Sequence, residues 1–269
     1  MARVDTVFAG SIPALYDKYL SPLIFEFYAS DMARRLSGLK SGSVLEVAAG
    51  TGIVTSALIK ILPPAVSLVA TDLNPGMLDV AKAKDTTSRV SWQQADAQAL
   101  PFPEAAFDAV VCQFGVMFFP DKPKAFHEAR RVLKKGGRYL FSVWDIIADN
   151  EIADLVTSAV ADLFPNDPPR FLARTPYGHH NKDAITAALR QAGFSDVAVE
   201  TITARSKASS AADAVTGLVQ GTPLRSEIEA RDATRLAEAT EAARARVKAR
   251  FGDGPIDAKM QAHIFTATC

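Results

Sequence analysis

The stretch SVLEVAAGTGIVTSALIKIL (residues 43–62) contains a short apolar run, a glycine-containing loop and a longer apolar run in succession. The first run predicts a strand and the last run predicts a helix. Between them, the Gly-x-Gly turn at Gly50 and Gly52 allows backbone N–H groups and the start of the helix to approach an anionic group closely. By itself the loop predicts only a nucleotide-like ligand.

The alternation of strand and helix continues as far as residue 144. The further predicted strands are VSLVATD (66–72), VSWQQAD (90–96), FDAVVCQF (107–114) and RYLFSVW (138–144). The further predicted helices are PGMLDVAKAKD (75–85) and DKPKAFHEARRVLKKGG (121–137), the second ended by Gly136-Gly137. Strict alternation produces right-handed crossovers and a parallel sheet with helices on both faces, so we expect a doubly wound α/β fold.

Two regions lie outside this alternation. Residues 3–40 predict an aromatic-rich helical lead, and residues 204–255 predict an alanine- and charge-rich helical stretch. The apolar stripe of that stretch consists of Leu224, Ile228, Leu236, Val247 and Phe251. Such a stripe suits either a packed surface helix or a lid. Two further strands, DVAVETIT (196–203) and AHIFTATC (262–269), flank the stretch.

The composition is that of a globular protein with a core of ordinary size. The chain has 269 residues, of which 48% are hydrophobic, and its 30 Lys and Arg balance its 30 Asp and Glu. This balance argues against a nucleic-acid groove that depends on net charge. The two cysteines, Cys112 and Cys269, offer neither a disulfide framework nor a zinc cluster, so we expect no metal.

The amino terminus does not resemble a signal peptide. Asp5, Asp17 and Lys18 interrupt the apolar segment that such a peptide needs. No stretch of the sequence approaches transmembrane length. We therefore expect a cytoplasmic protein with no membrane span.

Two common phosphate-binding motifs are absent. A dinucleotide site requires G-x-G-x-x-G, but Thr55 occupies the position of the third glycine. The sequence also lacks G-x-x-x-x-G-K-[ST], the phosphate loop of many nucleoside triphosphatases. The first absence counts against a nicotinamide oxidoreductase, and the second counts against a nucleoside triphosphatase.

Acidic residues stand at the ends of three successive predicted strands. Glu46 precedes the glycine loop, Asp72 closes the second strand and Asp96 follows the third. Asp72 is placed to accept both hydroxyls of a ribose, and Asp96 to accept from the exocyclic amine of an adenine. Each acid alone could be a solvated loop residue or a helix cap. Together they predict an adenosine with a cationic tail.

Four segments of the chain resemble the successive motifs of class I S-adenosylmethionine-dependent methyltransferases. These segments are VLEVAAGTG (44–52), ATDLNPGML (70–78), QQADAQALPFPEAAFDAVVCQFGVMFFPD (93–121) and ARRVLKKGGRYLFSVW (129–144). They are most similar to the small-molecule group that includes the ubiquinone and menaquinone C-methyltransferases. The resemblance implies a mostly parallel seven-stranded sheet with an antiparallel last strand.

The resemblance also implies the domain organisation. We expect a single methyltransferase domain over residues 1–269 with a helical lead at 1–40. The core would comprise 41–203 and 259–269, with a helical insertion at 204–258 that serves as a lid or an interface. An interface there would make the protein a homodimer.

The same resemblance implies the residues that bind S-adenosylmethionine and its product S-adenosylhomocysteine. Glu46 would be the acidic residue of the first motif, and Ala48, Gly50 and Gly52 would form the loop around the methionine portion. Asp72 would bind the ribose, Leu73 and Met77 would contact the adenine, and Asp96 and Ala97 would bind its edge. The Gln113 carbonyl would meet the amino group, and Tyr16 and Tyr19 would close over the cofactor. Ala48 departs from the glycine that is usual in the family. Its methyl group suits the loop if its φ is negative.

The acceptor is less well defined by the sequence. Methyl transfer requires alignment more than a protein catalyst, and none of the four histidines, His127, His179, His180 and His263, is assigned as a base. The apolar candidates for an acceptor site are Phe114, Met117, Phe118, Phe119 and Trp144. They favour a small, apolar or aromatic acceptor over a nucleic acid. The alternative is a non-catalytic protein that binds S-adenosylmethionine or a partner.

Overall fold

A computed structural model describes Asp5, Phe8 and residues 10–269. Residues 3, 4, 6, 7 and 9 of the predicted helical lead lie outside the described residues. The strands are β1 (Gly42–Val47), β2 (Val66–Asp72), β3 (Val90–Gln94), β4 (Phe107–Gln113), β5 (Leu133–Trp144), β6 (Asp196–Ala208) and β7 (Ile256–Thr268). They form one seven-stranded sheet in the order β3-β2-β1-β4-β5-β7-β6.

The carboxyl ends of β1, β2, β3 and β4 lie at the same edge of the sheet. β1 pairs in parallel with β2 and β4, and β2 pairs in parallel with β3. The register places Val47 opposite Thr71 and Asp72 opposite Gln94. The chain order reverses between β1 and β4, and doubly wound sheets bind ligands at such a reversal.

The last strand is antiparallel to its neighbours, as predicted. Gly136 N donates to Cys269 O and Asp145 N donates to Gln261 O, so residue numbers rise along β5 as they fall along β7. β6 and β7 each contain 13 residues and extend beyond the predicted segments 196–203 and 262–269. The predicted fold class is confirmed.

Eleven α-helices precede or connect the strands in the part of the chain that the structure describes. They are α1 (Ile12–Leu15), α2 (Glu26–Arg35), α3 (Ile53–Ile61), α4 (Pro75–Lys84), α5 (Lys122–Val132), α6 (Glu151–Leu163), α7 (Phe171–Arg174), α8 (Lys182–Gln191), α9 (Ala211–Val215), α10 (Leu224–Asp232) and α11 (Leu236–Phe251). Tyr16–Phe25 and Thr216–Gln220 are π-helical. Sequence signals explain several starts: Pro75 opens α4, and the Asp121 side chain caps α5 by accepting from Lys124 N at 2.9 Å.

The helix predicted over residues 121–137 is shorter than expected. α5 ends at Val132, and Gly136 and Gly137 lie within β5 instead of at the helix end. The backbone of this segment pairs with another strand: Gly136 N donates to Cys269 O, and Cys269 N donates to Gly137 O. Pairing with a distant strand therefore outweighs the local helical signal of Lys and Arg residues.

The stretch predicted as one helix with an apolar stripe is also divided. Leu224 and Ile228 lie on α10, whereas Leu236, Val247 and Phe251 lie on α11. The Asp232 carboxylate accepts from Thr234 N at 2.9 Å and so competes with the helical backbone at the break. The stripe correctly indicated the burial of Leu224, Ile228 and Val247, whereas Leu236 and Phe251 are half-buried. The predicted continuity of the helix was wrong.

The chain divides into two compact units. The helical unit comprises Met1–Glu26, Trp144–His179 and Thr203–Gln261, and the sheet unit comprises Phe27–Val143, His180–Ile202 and Ala262–Cys269. Within the helical unit, α11 packs against α6 and α9. The single domain with boundaries at residues 40, 203 and 258 stays a prediction. Among the described residues, no helix combines the length and apolarity needed to cross a membrane.

Aromatic rings hold the sheet unit together where β5 meets β7 and α5. Phe141 is fully buried and stacks on Phe265, with the ring centroids 4.8 Å apart. Phe126 of α5 lies 5.7 Å and Tyr139 lies 4.8 Å from the same ring. Phe141 therefore joins two strands and a helix.

We expect Phe141→Ala to lower the free energy of unfolding by about 3–5 kcal/mol, because it leaves a cavity among three rings. Phe27 is a matched control, since it is 42% exposed. Phe27→Ala should cost less than about 1 kcal/mol, chiefly its edge contact with Tyr28. Urea unfolding measures both changes, and similar losses for the two variants would contradict this account of the core.

Candidate active site

The glycine loop after β1 is bonded to the end of β2. Gly50 N donates to Asp72 Oδ2 at 2.8 Å, and Asn74 N donates to Asp72 Oδ1 at 2.8 Å. Ala95 N, after β3, donates to Asp72 O at 3.1 Å. A carboxylate has about four acceptor positions, so Oδ2 keeps one for a ligand hydroxyl, and Oδ1 gains one when its long contact of 3.5 Å with Asn74 Nδ2 is displaced. The predicted ribose residue is thus also the residue that joins three strand ends.

Glu46 is buried beneath the same loop. Its Oε2 accepts from Thr55 Oγ1 at 2.5 Å, and only 3% of the residue is exposed. Burial raises the pKa of Glu46 to about 8, the Thr55 hydrogen bond opposes this rise, and the Asp72 carboxylate adds to it. Thr55, which the sequence showed only as a missing third glycine, therefore orients the buried acid.

Neither buried carboxylate is neutralised by a cation. Among the described residues, no lysine or arginine contributes to the pKa of Glu46 or Asp72. Burial also raises the pKa of Asp72, although backbone N–H groups of Asn74 and Gly50 partly oppose it. The hydroxyl of Thr51, in the same loop, is buried and has no hydrogen-bond partner in the part of the chain that the structure describes. These groups suit a ligand that supplies hydroxyls and positive charge.

Ala48 adopts a backbone conformation that differs from the expected one. Its φ is 55°, in the left-handed region, whereas its methyl group was expected to require a negative φ. The neighbouring strand makes room for that methyl group: a Cβ on Gly115 would lie only 2.6 Å from Ala48 Cβ and 2.7 Å from Cys112 Sγ. Ala48 is therefore tolerated because position 115, across the chain reversal, has no side chain.

A second strained residue follows β4, next to the predicted Gln113. Phe114 has a φ of 51°, and its N–H donates to Ser142 O at 3.2 Å. Non-glycine residues rarely adopt this conformation and are concentrated at functional sites. The Phe114 ring packs edge-on against Tyr28 at 5.3 Å. No sequence signal indicated this strain, since phenylalanine does not favour positive φ.

The residues predicted to contact the adenine surround the loop and the end of β2. A Cβ on Gly50 would lie 3.6 Å from Met77 Cε, and Met77 is 4% exposed. Leu73 is 48% exposed, and its carbonyl accepts from Gln94 Nε2 at 2.9 Å. Gly52, at φ 80°, packs so closely on Ala81 that a Cβ would lie 3.0 Å from its methyl carbon.

Asp96 and Ala97 follow β3 directly. Asp96 is exposed, while Ala97 is 8% exposed. The Asp96 carboxylate accepts from the backbone and the side chain of Gln98. The structure thus brings Glu46, Gly50, Gly52, Asp72, Met77 and Leu73 into one connected set, with Asp96 and Ala97 following on the adjoining loop.

Tyr19 belongs to the helical unit and lies on the π-helical segment Tyr16–Phe25. A Cβ on Gly217 would lie 3.0 Å from Tyr19 Cβ, and Lys18 Nζ lies 4.8 Å from the Tyr19 ring. The π-helical geometry was not predicted. The closure of Tyr16 and Tyr19 over the cofactor stays a prediction.

The four histidines and the predicted acceptor residues lie in different surroundings. His127 is exposed on α5, and His263 is buried with its Nδ1 3.0 Å from Thr201 Oγ1. His179 and His180 precede α8 and are half-buried. Of the predicted acceptor residues, Phe114, Met117 and Phe119 are buried in the sheet unit, and Trp144 is buried in the helical unit.

Known proteins resemble this chain in sequence and in fold. Residues 45–141 match a family model described as a methyltransferase domain. The ubiquinone/menaquinone biosynthesis C-methyltransferase UbiE of Pseudomonas aeruginosa is 33% identical over 182 residues, which cover 62% of this chain and 71% of the relative. The corresponding enzyme of Escherichia coli is 34% identical, with 62% and 72% covered.

Solved structures share the fold at lower identity. Phosphoethanolamine N-methyltransferase 2 of Haemonchus contortus, in complex with phosphomonomethylethanolamine and S-adenosylhomocysteine, has a TM-score of 0.59 at 20% identity, covering 95% of this chain and 56% of that one. The YcgJ protein of Bacillus subtilis has a TM-score of 0.57 at 19% identity, covering 90% and 98%.

The contact between Ala48 and Gly115 predicts energetic coupling. We expect Gly115→Ala to destabilise the protein by about 1–3 kcal/mol through overpacking. The same substitution should cost less in an Ala48→Gly background, because one of its two close contacts is then absent. Urea unfolding of the four proteins gives the coupling energy. Gly38→Ala, which meets no atom within 4 Å, should be additive with Ala48→Gly; equal coupling in both pairs would contradict the contact.

The buried Glu46 predicts a dependence of stability on pH. The folded state holds the Glu46 proton more tightly than the unfolded state, since its pKa rises from 4.5 to about 8. The contribution of Glu46 to stability should therefore be fully present below about pH 5 and be lost as the pH rises to about 8, by at most ~1.4 kcal/mol per pH unit. Glu46→Gln should remove the part of this decrease that comes from Glu46 and leave the part that comes from Asp72, whose pKa burial also raises. Unfolding curves at several pH values measure it.

Glu104→Gln, on an exposed loop, is the control for the pH experiment. It should keep the slope of the original protein, because it leaves Glu46 and its hydrogen bond with Thr55 unchanged. Identical slopes for the original protein and Glu46→Gln would show that Glu46 is ionised throughout this range.

Proposed function

Because the chain belongs to the class I S-adenosylmethionine-dependent methyltransferases, we propose that its methyl acceptor is a small, apolar or aromatic molecule. The enzyme class and the cofactor follow from the family. The observation that carries the site assignment is the pair of buried carboxylates, Glu46 and Asp72, which no cation of the described residues neutralises.

Each residue of the cofactor site has a role that its surroundings support. Asp72 would accept the ribose hydroxyls, and Leu73 and Met77 would contact the adenine. Ala48, Gly50, Gly52 and the Gln113 carbonyl would surround the methionine portion. The positive end of the ligand would favour the ionised form of Glu46, which is buried and bonded to Thr55, and would in turn be stabilised by it. S-adenosylmethionine supplies the methyl group as an electrophile when it is bound.

Aromatic side chains of the helical unit support an apolar acceptor. Tyr16 stacks on Phe25 at 5.1 Å, and Trp144 lies 6.2 Å from Phe25 and 5.6 Å from Tyr177. Such ring clusters favour flat, apolar ligands. The relatives are named for ubiquinone and menaquinone biosynthesis, which supports methyl transfer to a ring carbon. Their match leaves more than a third of this chain outside it, so the acceptor itself is a proposal.

The protein would contribute alignment and exclusion of water to the reaction. Displacement at the sulfonium carbon needs no covalent intermediate on the protein. We assign no histidine as a base. The homodimer and the cytoplasmic location stay predictions, and the expectation that no nucleic acid binds rests on the balanced charge.

We expect S-adenosylhomocysteine to bind in the micromolar range. Asp72→Ala should weaken this binding by about 100-fold or more, because it removes two hydrogen bonds between the ribose hydroxyls and a charged group. Isothermal titration calorimetry measures both affinities. Asp79→Ala is the control, because Asp79 is exposed on α4 and should leave the affinity unchanged. Circular dichroism shows whether the variants remain folded. Absence of binding to the original protein would overturn the proposal for the site.

The acceptor requires a separate experiment. Transfer of labelled methyl from S-adenosylmethionine is measured against a panel of quinols, phenols and small acids. Transfer to quinols or phenols, in preference to charged acids, is expected. Binding of S-adenosylhomocysteine without transfer to the panel or to any extracted metabolite would instead favour a non-catalytic binding protein.

A further inference from the structure

Gln98 makes a double contact with the Asp96 carboxylate. Gln98 N donates to Asp96 Oδ1 at 2.8 Å, and Gln98 Nε2 donates to Oδ1 at 3.1 Å and to Oδ2 at 3.3 Å. On its other side, Gln98 Oε1 accepts from Asp121 N at 2.8 Å. The two partners determine the orientation of the Gln98 amide. The Asp96 carboxylate can accept only from the NH₂ group of the amide, and the backbone N–H of Asp121 can donate only to its oxygen.

Helix α5 also holds the rest of this loop, but through groups that do not touch Asp96. Glu128 Oε2 accepts from Leu100 N at 2.7 Å. Arg131 donates to Phe102 O at 2.7 Å and to Leu100 O at 2.9 Å. The backbone of the loop is therefore anchored independently, and Gln98 is the side chain that links this anchored loop and α5 to the carboxylate itself.

An exposed carboxylate ordinarily rotates about its Cβ–Cγ bond. Asp96 is exposed, so burial does not restrict it. A side-chain amide that contacts both oxygens, and is itself held by the start of α5, restricts the carboxylate plane. Oriented acceptors distinguish an amine from a carbonyl at the same position, because the carbonyl lone pairs repel the carboxylate.

We propose that Gln98 is a positioning residue that orients the Asp96 carboxylate, so that the site selects a 6-amino purine over a 6-oxo purine. This inference rests on the proposed cofactor site and adds to it the residue that sets base selectivity. Gln98 acts through Asp96 and does not itself need to contact the ligand.

The test compares S-adenosylhomocysteine with S-inosylhomocysteine by isothermal titration calorimetry. Gln98→Glu preserves the side-chain length and the oxygen that accepts from Asp121 N, but it removes the donor and adds a negative charge beside Asp96. We expect it to weaken S-adenosylhomocysteine binding by about 10-fold and to reduce the preference for the adenine ligand by a similar factor. Gln98→Ala should reduce the same preference without adding charge.

Two controls separate positioning from loop stability and from charge. Gln93→Glu adds the same charge on β3, where Gln93 is exposed, and should change neither the affinity nor the preference. Glu128→Gln weakens the anchor at Leu100 and should affect both ligands equally, leaving the preference intact. Asp96→Asn should abolish the preference.

The outcomes are distinguishable. If the original protein prefers the adenine ligand and Gln98→Glu prefers it equally, the role of Gln98 is wrong while the cofactor site stands. If Gln98→Glu weakens both ligands by the same factor, Gln98 merely supports the loop. If the original protein binds neither ligand, the proposed function fails and this inference fails with it.

Discussion

The hydrogen bond from Gly50 N to Asp72 Oδ2 is the constraint on which the candidate site depends. It joins the loop after β1 to the end of β2, and Ala95 N, bonded to Asp72 O, brings in the end of β3. One buried residue thus joins three loops. The first and the last of them lie more than forty residues apart in the sequence. The backbones of these loops are therefore held at the strand ends.

Electrostatics gives this arrangement its chemical preference. Glu46 and Asp72 are buried close together without a neutralising cation among the described residues, so burial raises the pKa of both. Burying acids in this way costs folding free energy that a more polar site would not require. A ligand with positive charge and hydroxyl groups would recover part of that cost when it binds. The unfavourable burial of the two acids therefore favours the binding of S-adenosylmethionine.

The sequence predicted the acids and the loop but not the conformations that hold them. Glu46, Asp72 and Asp96 were found because parallel strands place their carboxyl ends at one edge. The left-handed Ala48 and its dependence on Gly115 were not found, because the two residues are distant in sequence and meet only across the reversal between β1 and β4. Thr55 was seen as a missing glycine, although it bonds Glu46.

Sequence alone determined the alternation of strands and helices, the fold class and the order of the acidic residues, because hydrophobic periodicity and turn residues are local properties. The tertiary structure determined the features that depend on contacts between residues distant in the sequence. The pairing of Gly136 and Gly137 with Cys269 converted a predicted helix end into strand, and the N–H of Asp121, which caps α5, gave Gln98 its orientation. The tertiary structure also determines the pKa of Glu46. The sequence shows only a glutamate, and its burial beneath the loop raises its pKa.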